Sequence, residues 1–215
     1  MKNLIQNIRN VFFDNKCKLC CENINDKELE ICYNCFDKLR LEKKFSSFNS
    51  VYYVFNYCGD FRKLLLKYKN NSQGNLAKTI ALLIKDEFFE VLYKEEIDII
   101  IPVPINIKRN RKRGFNQVEE VLNCLKYRYM KVERIKNTKK MYTILNVDDR
   151  EKNIDSVFSS NLDIKNKNIL IVDDIVTTGS TIKELVKTIE KNAKAKKIVC
   201  FSFALSKTAK KMGGF

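Results

Sequence analysis

One segment of the chain, residues 168–182, restricts the possible folds more than any other. It begins with the apolar run Ile169-Leu-Ile-Val172, which predicts a buried strand. Two adjacent acids follow at the carboxyl end of that strand, and a turn of small and hydroxyl-bearing residues then opens a helix from about Ser180 to Asn192. Ligands of open α/β sheets bind at this end of the strands, and a turn of this kind at a helix N-terminus favours a phosphate. The acids are Asp173 and Asp174, and the turn is Thr177, Thr178, Gly179, Ser180 and Thr181.

An ordinary helix cap is the alternative interpretation of the same segment. Thr181 and Glu184 have the spacing of a capping box, in which a hydroxyl and a carboxyl each bond to a backbone N–H group. That alternative explains the hydroxyls but not the two acids at the end of an apolar strand. Vicinal ribose hydroxyls would donate to those carboxylates, so we expect a ligand with a sugar and a phosphate.

The remainder of the chain alternates between strand and helix patterns. This alternation, with uniformly apolar strands, predicts an α/β fold whose parallel sheet is covered by helices on both faces. We read residues 46–50 as a linker, and Asn116 as the start of a helix with Glu119 at the capping-box position. The other predicted strands are Val51–Tyr57, Ile97–Ile101 and Ile198–Leu205, and the other predicted helices are Asp60–Lys69 and Leu76–Leu92.

Five of the eight cysteines lie in the first forty residues, and four of them form two CxxC pairs. Two such pairs can bring four thiolates onto one ion, as in a closed tetrahedral zinc site without catalytic function. A disulfide framework and redox activity are the alternatives, and Cys21, adjacent to a pair, could exchange with a ligand. We expect structural zinc in a module of residues 1–45, followed by a second domain of residues 46–215. The proposed ligands are Cys17, Cys20, Cys32 and Cys35; Cys58, Cys124 and Cys200 are predicted to be buried thiols.

Composition excludes some chemistry and leaves the partners open. The chain has no histidine, which rules out His-based acid–base catalysis and His metal ligands. No apolar run is long enough to span a bilayer, so we expect a cytoplasmic protein without membrane insertion. The formal charge is +15, from 41 Lys and Arg against 26 Asp and Glu. That excess fits a nucleic-acid partner, but also a general Lys bias of the coding genome.

The order of the motifs resembles the competence protein F (ComF) family, and residues 169–181 resemble the phosphoribosyl pyrophosphate motif of type I phosphoribosyltransferases. The resemblance extends from the cysteine pairs to the last strand. It includes Tyr57-Cys-Gly59 with the helix that follows, and Ile101-Pro-Val-Pro104. It also includes Arg113-Gly-Phe-Asn-Gln117, and Arg150 with Asn153 and Phe158.

The resemblance implies a type I phosphoribosyltransferase fold that binds phosphoribosyl pyrophosphate with Mg²⁺. It implies that Asp173 and Asp174 bind the ribose and that residues 177–181 bind the 5′-phosphate. Val103 and Pro104 would contact pyrophosphate through backbone amides, with Lys108 and Arg109 close by. Arg150 would lie on a closing loop, although Tyr142-Thr-Ile144 replaces the family's usual run there. Thr177 occupies a position where purine-salvage members carry an acid, which disfavours a 6-oxopurine acceptor.

Two basic segments leave the function open between an enzyme and a binding protein. Residues 108–113 could neutralise pyrophosphate, bind nucleic acid or form a solvated loop; the nucleic-acid candidates are Arg111, Lys112 and Arg113. Residues 126–140 interleave cations with tyrosines, a pattern that suits single-stranded nucleic acid but also a helix with core tyrosines. We therefore consider a phosphoribosyltransferase in DNA uptake and natural transformation. The alternative is a non-catalytic accessory protein that binds single-stranded DNA, with DNA-uptake or recombination proteins as partners and the nucleotide site as a sensor.

Overall fold

The computed structural model describes residues 16–24, 29–70, 75–105, 114–134, 158–159, 163–191 and 193–211. Its helices are α1 (Tyr33–Leu41), α2 (Gly59–Asn70), α3 (Asn75–Lys94), α4 (Gln117–Cys124), α5 (Ser180–Ile189) and α6 (Lys207–Lys211). Its strands are β1 (Ser46–Phe48), β2 (Val51–Asn56), β3 (Ile99–Pro102), β4 (Glu133–Arg134), β5 (Phe158–Ser159), β6 (Asn168–Val176) and β7 (Lys197–Leu205).

Five of the described strands form one sheet, in the order β1-β2-β7-β6-β3. β2, β7, β6 and β3 run parallel, whereas β1 is antiparallel to β2. β4 and β5 form a separate antiparallel pair. The α/β class and the parallel sheet predicted from the alternating pattern are therefore confirmed.

Helices cover both faces of this sheet, and the alternation along β6 shows how. Leu170 and Val172 belong to a core cluster with residues of α2, α3 and α4. Ile169 and Ile171, which point the other way, belong to a second cluster with α5. A strand buried on both faces needs apolar residues at every position, which explains the uniform composition of residues 169–172. Cys17, Ile31 and Leu39 join the first cluster, so the cysteine-containing segment packs on the same core.

The linker predicted at residues 46–50 is wrong, because residues 46–48 form strand β1. They pair with β2 in the register Ser46↔Tyr53 and Phe48↔Val51. The connecting residues Asn49 and Ser50 both have positive φ, at 48° and 60°, as in the tight turns that suit a twisted hairpin. Serine and asparagine favour turns, and here the turn occupies only two of the five residues.

Strand β6 is longer than the predicted Ile169–Val172 and includes both acids. Pairing with β7 continues through Asp173↔Ser202, Ile175↔Ala204 and Val176↔Leu205. The β-branched side chains of Ile175 and Val176 favour this extension. As a result Asp173 and Asp174 lie within β6 and not in the loop that follows it.

Two of the three cysteines predicted to be buried are exposed. Only Cys200, in β7, is buried, whereas Cys58 and Cys124 are exposed. Cys58 immediately precedes α2, and Cys124 is the last residue of α4. Both lie at a helix end, whereas Cys200 lies in a strand between two others, so apolar neighbours in the sequence did not determine burial. In the part of the chain that the structure describes, no helix has the length and apolar character needed to cross a membrane.

Candidate phosphoribosyl site and metal centre

A cavity of about 400 Å³ opens at the carboxyl ends of β3 and β6. This is the position at which parallel α/β sheets bind ligands. Both acids of β6 reach it, as do the loop after β3, the start of α4 and the last turn of α2. The lining residues are Tyr57, Lys69, Val103, Pro104, Ile105, Asn116, Gln117, Val118, Asp173, Asp174, Ile175, Thr177 and Thr181.

Asp174 is buried, and both of its carboxylate oxygens contact protein groups. The Lys69 Nζ atom lies 3.0 Å from each of its carboxylate oxygens. The Gln117 side-chain amide also donates to Asp174 Oδ2. Lys69 comes from the last turn of α2 and Gln117 from the first turn of α4. The Tyr68 hydroxyl joins the same two turns by donating to the Gln117 carbonyl at 2.8 Å.

Asp173 is half-buried and lies on the other side of β6. Its Oδ1 atom accepts the Asp174 backbone N–H at 2.8 Å. Burial and the neighbouring charge of Asp174 raise the pKa of Asp173 to about 7, against the smaller opposing effects of that N–H and of Lys69. Burial, with a smaller contribution from the charge of Asp173, raises the pKa of the Cys200 thiol, which belongs to the α5-side core.

The predicted phosphate loop bends between β6 and α5 as the small residues suggest. Gly179 is the N-cap of α5 with φ 71°, a conformation that glycine adopts without strain. The hydroxyl oxygens of Thr178 and Ser180 are 3.1 Å apart. The capping-box alternative is wrong, because Thr181 lies inside the first turn and the N-cap makes no side-chain hydrogen bond. Thr177 and Thr181 face the cavity.

The loop after β3 lines the cavity, but its first two residues cannot offer backbone amides to pyrophosphate. The Val103 N–H donates to the Val172 carbonyl at 2.8 Å, and Pro104 has no N–H. The next amide along the loop is that of Ile105, which also lines the cavity. Asn116 fixes this loop by donating to the Val103 carbonyl at 3.2 Å, while its Oδ1 atom caps α4 by accepting the Val118 N–H at 3.0 Å. The predicted helix start at Asn116 is therefore confirmed.

Sequence reasoning missed Lys69, Asn116 and Gln117 as site residues. A signal was available, since all three lie inside the segments that carry the family resemblance. Their proximity to β6 depends on long-range packing, and therefore no local pattern predicted it. The predicted residues Lys108, Arg109, Arg111, Lys112, Arg113 and Arg150 lie outside the described residues.

The four predicted metal ligands come together in the structure. The sulfur atoms of Cys17, Cys20, Cys32 and Cys35 all lie within 4.8 Å of one another, and those of Cys20 and Cys32 are 3.6 Å apart. Tetrahedral zinc with bonds of about 2.3 Å to sulfur needs sulfur separations of about 3.8 Å, so this donor set fits the ion. Cys21 is exposed, has φ 65° and is not part of the group.

Backbone donors prepare Cys17 for a metal. Its sulfur accepts the N–H groups of Leu19 at 3.4 Å and Cys32 at 3.3 Å. Burial opposes ionisation of this thiol, but hydrogen bonds from the backbone of Cys20, Cys32 and Leu19 outweigh it and lower the pKa of Cys17 to about 6. The thiolate is the form that binds a metal.

Comparison with known proteins agrees with the fold and the motifs. Residues 71–212 match the phosphoribosyl transferase domain family. Competence protein F of Haemophilus influenzae is 25% identical over 84% of this chain and 93% of its own length. ComFC of Streptococcus pneumoniae is 30% identical over 69% and 65%, and the DNA utilization protein YhgH of Escherichia coli K12 is 27% identical over 66% of each chain.

Among solved structures, adenine phosphoribosyltransferase from Saccharomyces cerevisiae is 16% identical over 84% of this chain and 93% of that one, with a TM-score of 0.43. At that score the similarity supports no argument about the site. The family match and the relatives confirm the resemblance read from the motifs. The chain belongs to the phosphoribosyl transferase domain family, and competence protein F and ComFC are among its relatives.

Proposed function

We propose that the protein binds phosphoribosyl pyrophosphate with Mg²⁺ in the cavity at the carboxyl ends of β3 and β6. The observation that carries this proposal is the meeting of the β6 acids and the Thr177–Thr181 loop on one cavity. Carboxylate and hydroxyl oxygens are the groups that Mg²⁺ and sugar hydroxyls prefer. The high pKa of Asp173 also indicates an acid whose charge is not fully compensated in the ligand-free protein.

Each part of the ligand has a proposed set of contacts. Asp173 accepts hydrogen bonds from the ribose hydroxyls, and Thr177 to Thr181, with the N-terminus of α5, bind the 5′-phosphate. The Val103–Ile105 loop forms the wall beside the pyrophosphate, and Lys108 and Arg109 contribute positive charge there. Arg150 lies outside the described residues, and its proposed role in closing over the ligand rests on the family resemblance alone. Mg²⁺ would neutralise charge on the ligand's oxygens and so help pyrophosphate to leave.

If the protein is a transferase, the bond between C1 of the ribose and pyrophosphate breaks while an acceptor adds to C1. The chain's own contribution is to hold the sugar by its hydroxyls and its phosphate, which orients C1. Thr177 faces the cavity at the position where purine-salvage enzymes carry an acid, so we propose an acceptor other than a 6-oxopurine.

The division of the chain and its cellular role are also proposals. We propose a zinc-binding module in residues 1–45 and a phosphoribosyltransferase-like domain in residues 46–215, supported by the four-cysteine group and by a sheet whose first strand begins at Ser46. Relatives named for competence and DNA utilization support a role in DNA uptake and natural transformation, and we propose that the protein acts in the cytoplasm.

Binding of single-stranded DNA without catalysis is the second candidate, favoured by the names of those relatives and the basic charge. The two described tyrosines of the basic segment 126–140 give it little support. Tyr127 makes edge contacts with Phe88 and Phe89, and Tyr129 donates to Glu119 at 3.4 Å. Rings held in this way are less available for stacking on bases than freely exposed ones.

Calorimetric titration of phosphoribosyl pyrophosphate with Mg²⁺ tests the proposal. We expect saturable binding to the wild type and to Asp163→Asn, an exposed acid outside the cavity, and weaker binding by about 10-fold or more to Asp173→Asn, which loses a charged acceptor. DNA binding that survives Asp173→Asn, together with no binding of phosphoribosyl pyrophosphate by the wild type, would favour the second candidate.

A further inference from the structure

We propose that Lys69 binds the pyrophosphate end of the ligand and that Asp174 is the positioning residue that holds the Lys69 ammonium group in the cavity. Asp173 is then the one acid of the pair that serves the ribose hydroxyls. This inference rests on the proposed function, since it assigns residues within the same site. It differs from the family expectation, in which both acids bind the ribose.

The first argument is the hydrogen bonding of Asp174. Both of its carboxylate oxygens lie 3.0 Å from Lys69 Nζ, and Oδ2 also accepts from the Gln117 amide. The Asp174 side chain is 7% exposed, so water contributes little to its solvation. A carboxylate with this degree of engagement has less capacity for a sugar diol than Asp173, whose Oδ1 accepts one backbone N–H.

The second argument is the direction of the two side chains. Asp173 and Asp174 are consecutive residues of β6, and their side chains have different neighbours. Asp174 contacts Lys69 of α2 and Gln117 of α4, on the side of Leu170 and Val172. The charge of Asp173 acts instead on Cys200, which belongs to the α5-side cluster together with Ile169 and Ile171. The phosphate loop leads into α5, so Asp173 is the acid on the side of the 5′-phosphate. Asp174 is the acid on the side of α4 and its cap Asn116, which fixes the loop after β3.

The third argument is charge. Among the cavity-lining residues that the structure describes, Lys69 is the only cation, and it accompanies two acids. The two acids would repel a pyrophosphate group unless a cation lay between the acids and the pyrophosphate. The Lys69 side chain is 17% exposed and reaches the cavity. An ammonium group has three N–H donors, so its hydrogen bond to Asp174 Oδ1 leaves capacity for a phosphate oxygen.

Inorganic pyrophosphate with Mg²⁺ is the probe that separates Lys69 from the sugar contacts. Removing one charge-assisted hydrogen bond should weaken calorimetric binding of pyrophosphate to Lys69→Met by about 10-fold to 100-fold. Lys69→Arg should retain binding within about threefold, since it keeps the charge and the donors. Asp173→Asn should bind pyrophosphate like the wild type but lose affinity for phosphoribosyl pyrophosphate. Lys67→Met, on the same helix and outside the cavity lining, is the matched control.

A charge-balanced variant keeps the test valid if Lys69→Met alone does not fold. Lys69→Met combined with Asp174→Asn removes one positive and one negative charge, so the net charge of the pair is unchanged. Circular dichroism would establish that the double variant folds. If Lys69 contacts the anion, this variant should also lose pyrophosphate binding by about 10-fold or more. If Lys69 serves only to neutralise buried Asp174, a folded double variant should bind pyrophosphate like the wild type, and that result would overturn the inference.

The two levels of the proposal fail differently. A wild type that does not bind phosphoribosyl pyrophosphate would refute the proposed function. A wild type that binds phosphoribosyl pyrophosphate, with pyrophosphate affinity unchanged in Lys69→Met, would refute only the role of Lys69. A wild type that binds phosphoribosyl pyrophosphate but shows no detectable affinity for pyrophosphate would also overturn the role assigned to Lys69.

Discussion

Replacing single cysteines by serine tests which of two adjacent residues, Cys20 or Cys21, belongs to the metal centre. Cys20→Ser removes one of the four sulfur atoms that lie within 4.8 Å of one another, whereas Cys21→Ser alters a neighbouring exposed cysteine outside that group. The two substitutions have identical chemistry and differ by one position in the chain. We expect the first to impair zinc binding and the second to leave it unchanged.

The expected loss of zinc affinity in Cys20→Ser follows from dividing the free energy of zinc binding among the four ligands. Structural zinc in small sites binds with about 10–16 kcal/mol, so one thiolate contributes about 2.5–4 kcal/mol. Loss of that amount corresponds to affinity weakened by roughly 100-fold to 1,000-fold. Folding should weaken as well, since Cys17 and Ile31 of this segment pack in the same core cluster as α2 and α3.

Competition with a chromogenic chelator measures the zinc affinity, and elemental analysis measures the stoichiometry. The wild type and Cys21→Ser should each hold about one zinc per chain, as one closed four-thiolate site requires. Equal loss of affinity in the two variants would show that the thiols exchange at the site. Unchanged affinity in Cys20→Ser would refute the four-cysteine centre.

Four further predictions concern the candidate phosphoribosyl site. Affinity for phosphoribosyl pyrophosphate with Mg²⁺, measured by calorimetry, should rise with pH up to about 7. The reason is that the ribose hydroxyls need ionised Asp173, whose pKa is raised to about 7. Below that pH the affinity should fall by a factor that approaches 10-fold per pH unit. The same raised pKa means that the free energy of unfolding of the ligand-free protein falls as pH rises from about 4 to about 7. The reason is that Asp173 binds its proton more tightly in the folded state than in the unfolded state. Gly179→Ala should lower the free energy of unfolding in urea by about 1–2 kcal/mol, because φ of 71° is strained for residues with a Cβ atom; an unchanged midpoint would contradict the observed turn. Asn116→Ala should lower the free energy of unfolding by about 1–2 kcal/mol, because helix α4 loses its N-cap. It should also weaken pyrophosphate binding, because the Val103 carbonyl loses its donor. Asn123→Ala, later in the same helix, is the control.

Local patterns in the sequence predicted the elements of the fold because each pattern reflects a local cause. The apolar run 169–172 reports burial on both faces of a strand, and Asn116 reports the need of helix α4 for an N-cap acceptor. The hairpin at residues 46–53 was missed because serine and asparagine indicate a turn without showing how short it is. The register of β1 against β2 depends on the partner strand, which no local pattern describes.

The candidate site was predicted only in part, for the same reason. Asp173, Asp174 and the Thr177–Thr181 loop are contiguous, so a single motif identifies them. Lys69 and Gln117 reach Asp174 from positions 105 and 57 residues away in the chain. Their role depends on the packing of α2 and α4 on one face of the sheet. The amides expected at Val103 and Pro104 illustrate the opposite error, since the motif locates the loop correctly but does not show that the Val103 N–H is already bonded to Val172.

The central claim is that phosphoribosyl pyrophosphate occupies the cavity between the β6 acids and the loop after β3. Backbone amide chemical shifts of ¹⁵N-labelled protein, recorded during titration with phosphoribosyl pyrophosphate and Mg²⁺, test this claim most directly. We predict that the largest saturable changes occur at Thr177 to Thr181 and at Ile105, with small changes in α1. Saturable changes confined to residues outside the cavity, or no changes at millimolar ligand, would contradict the account.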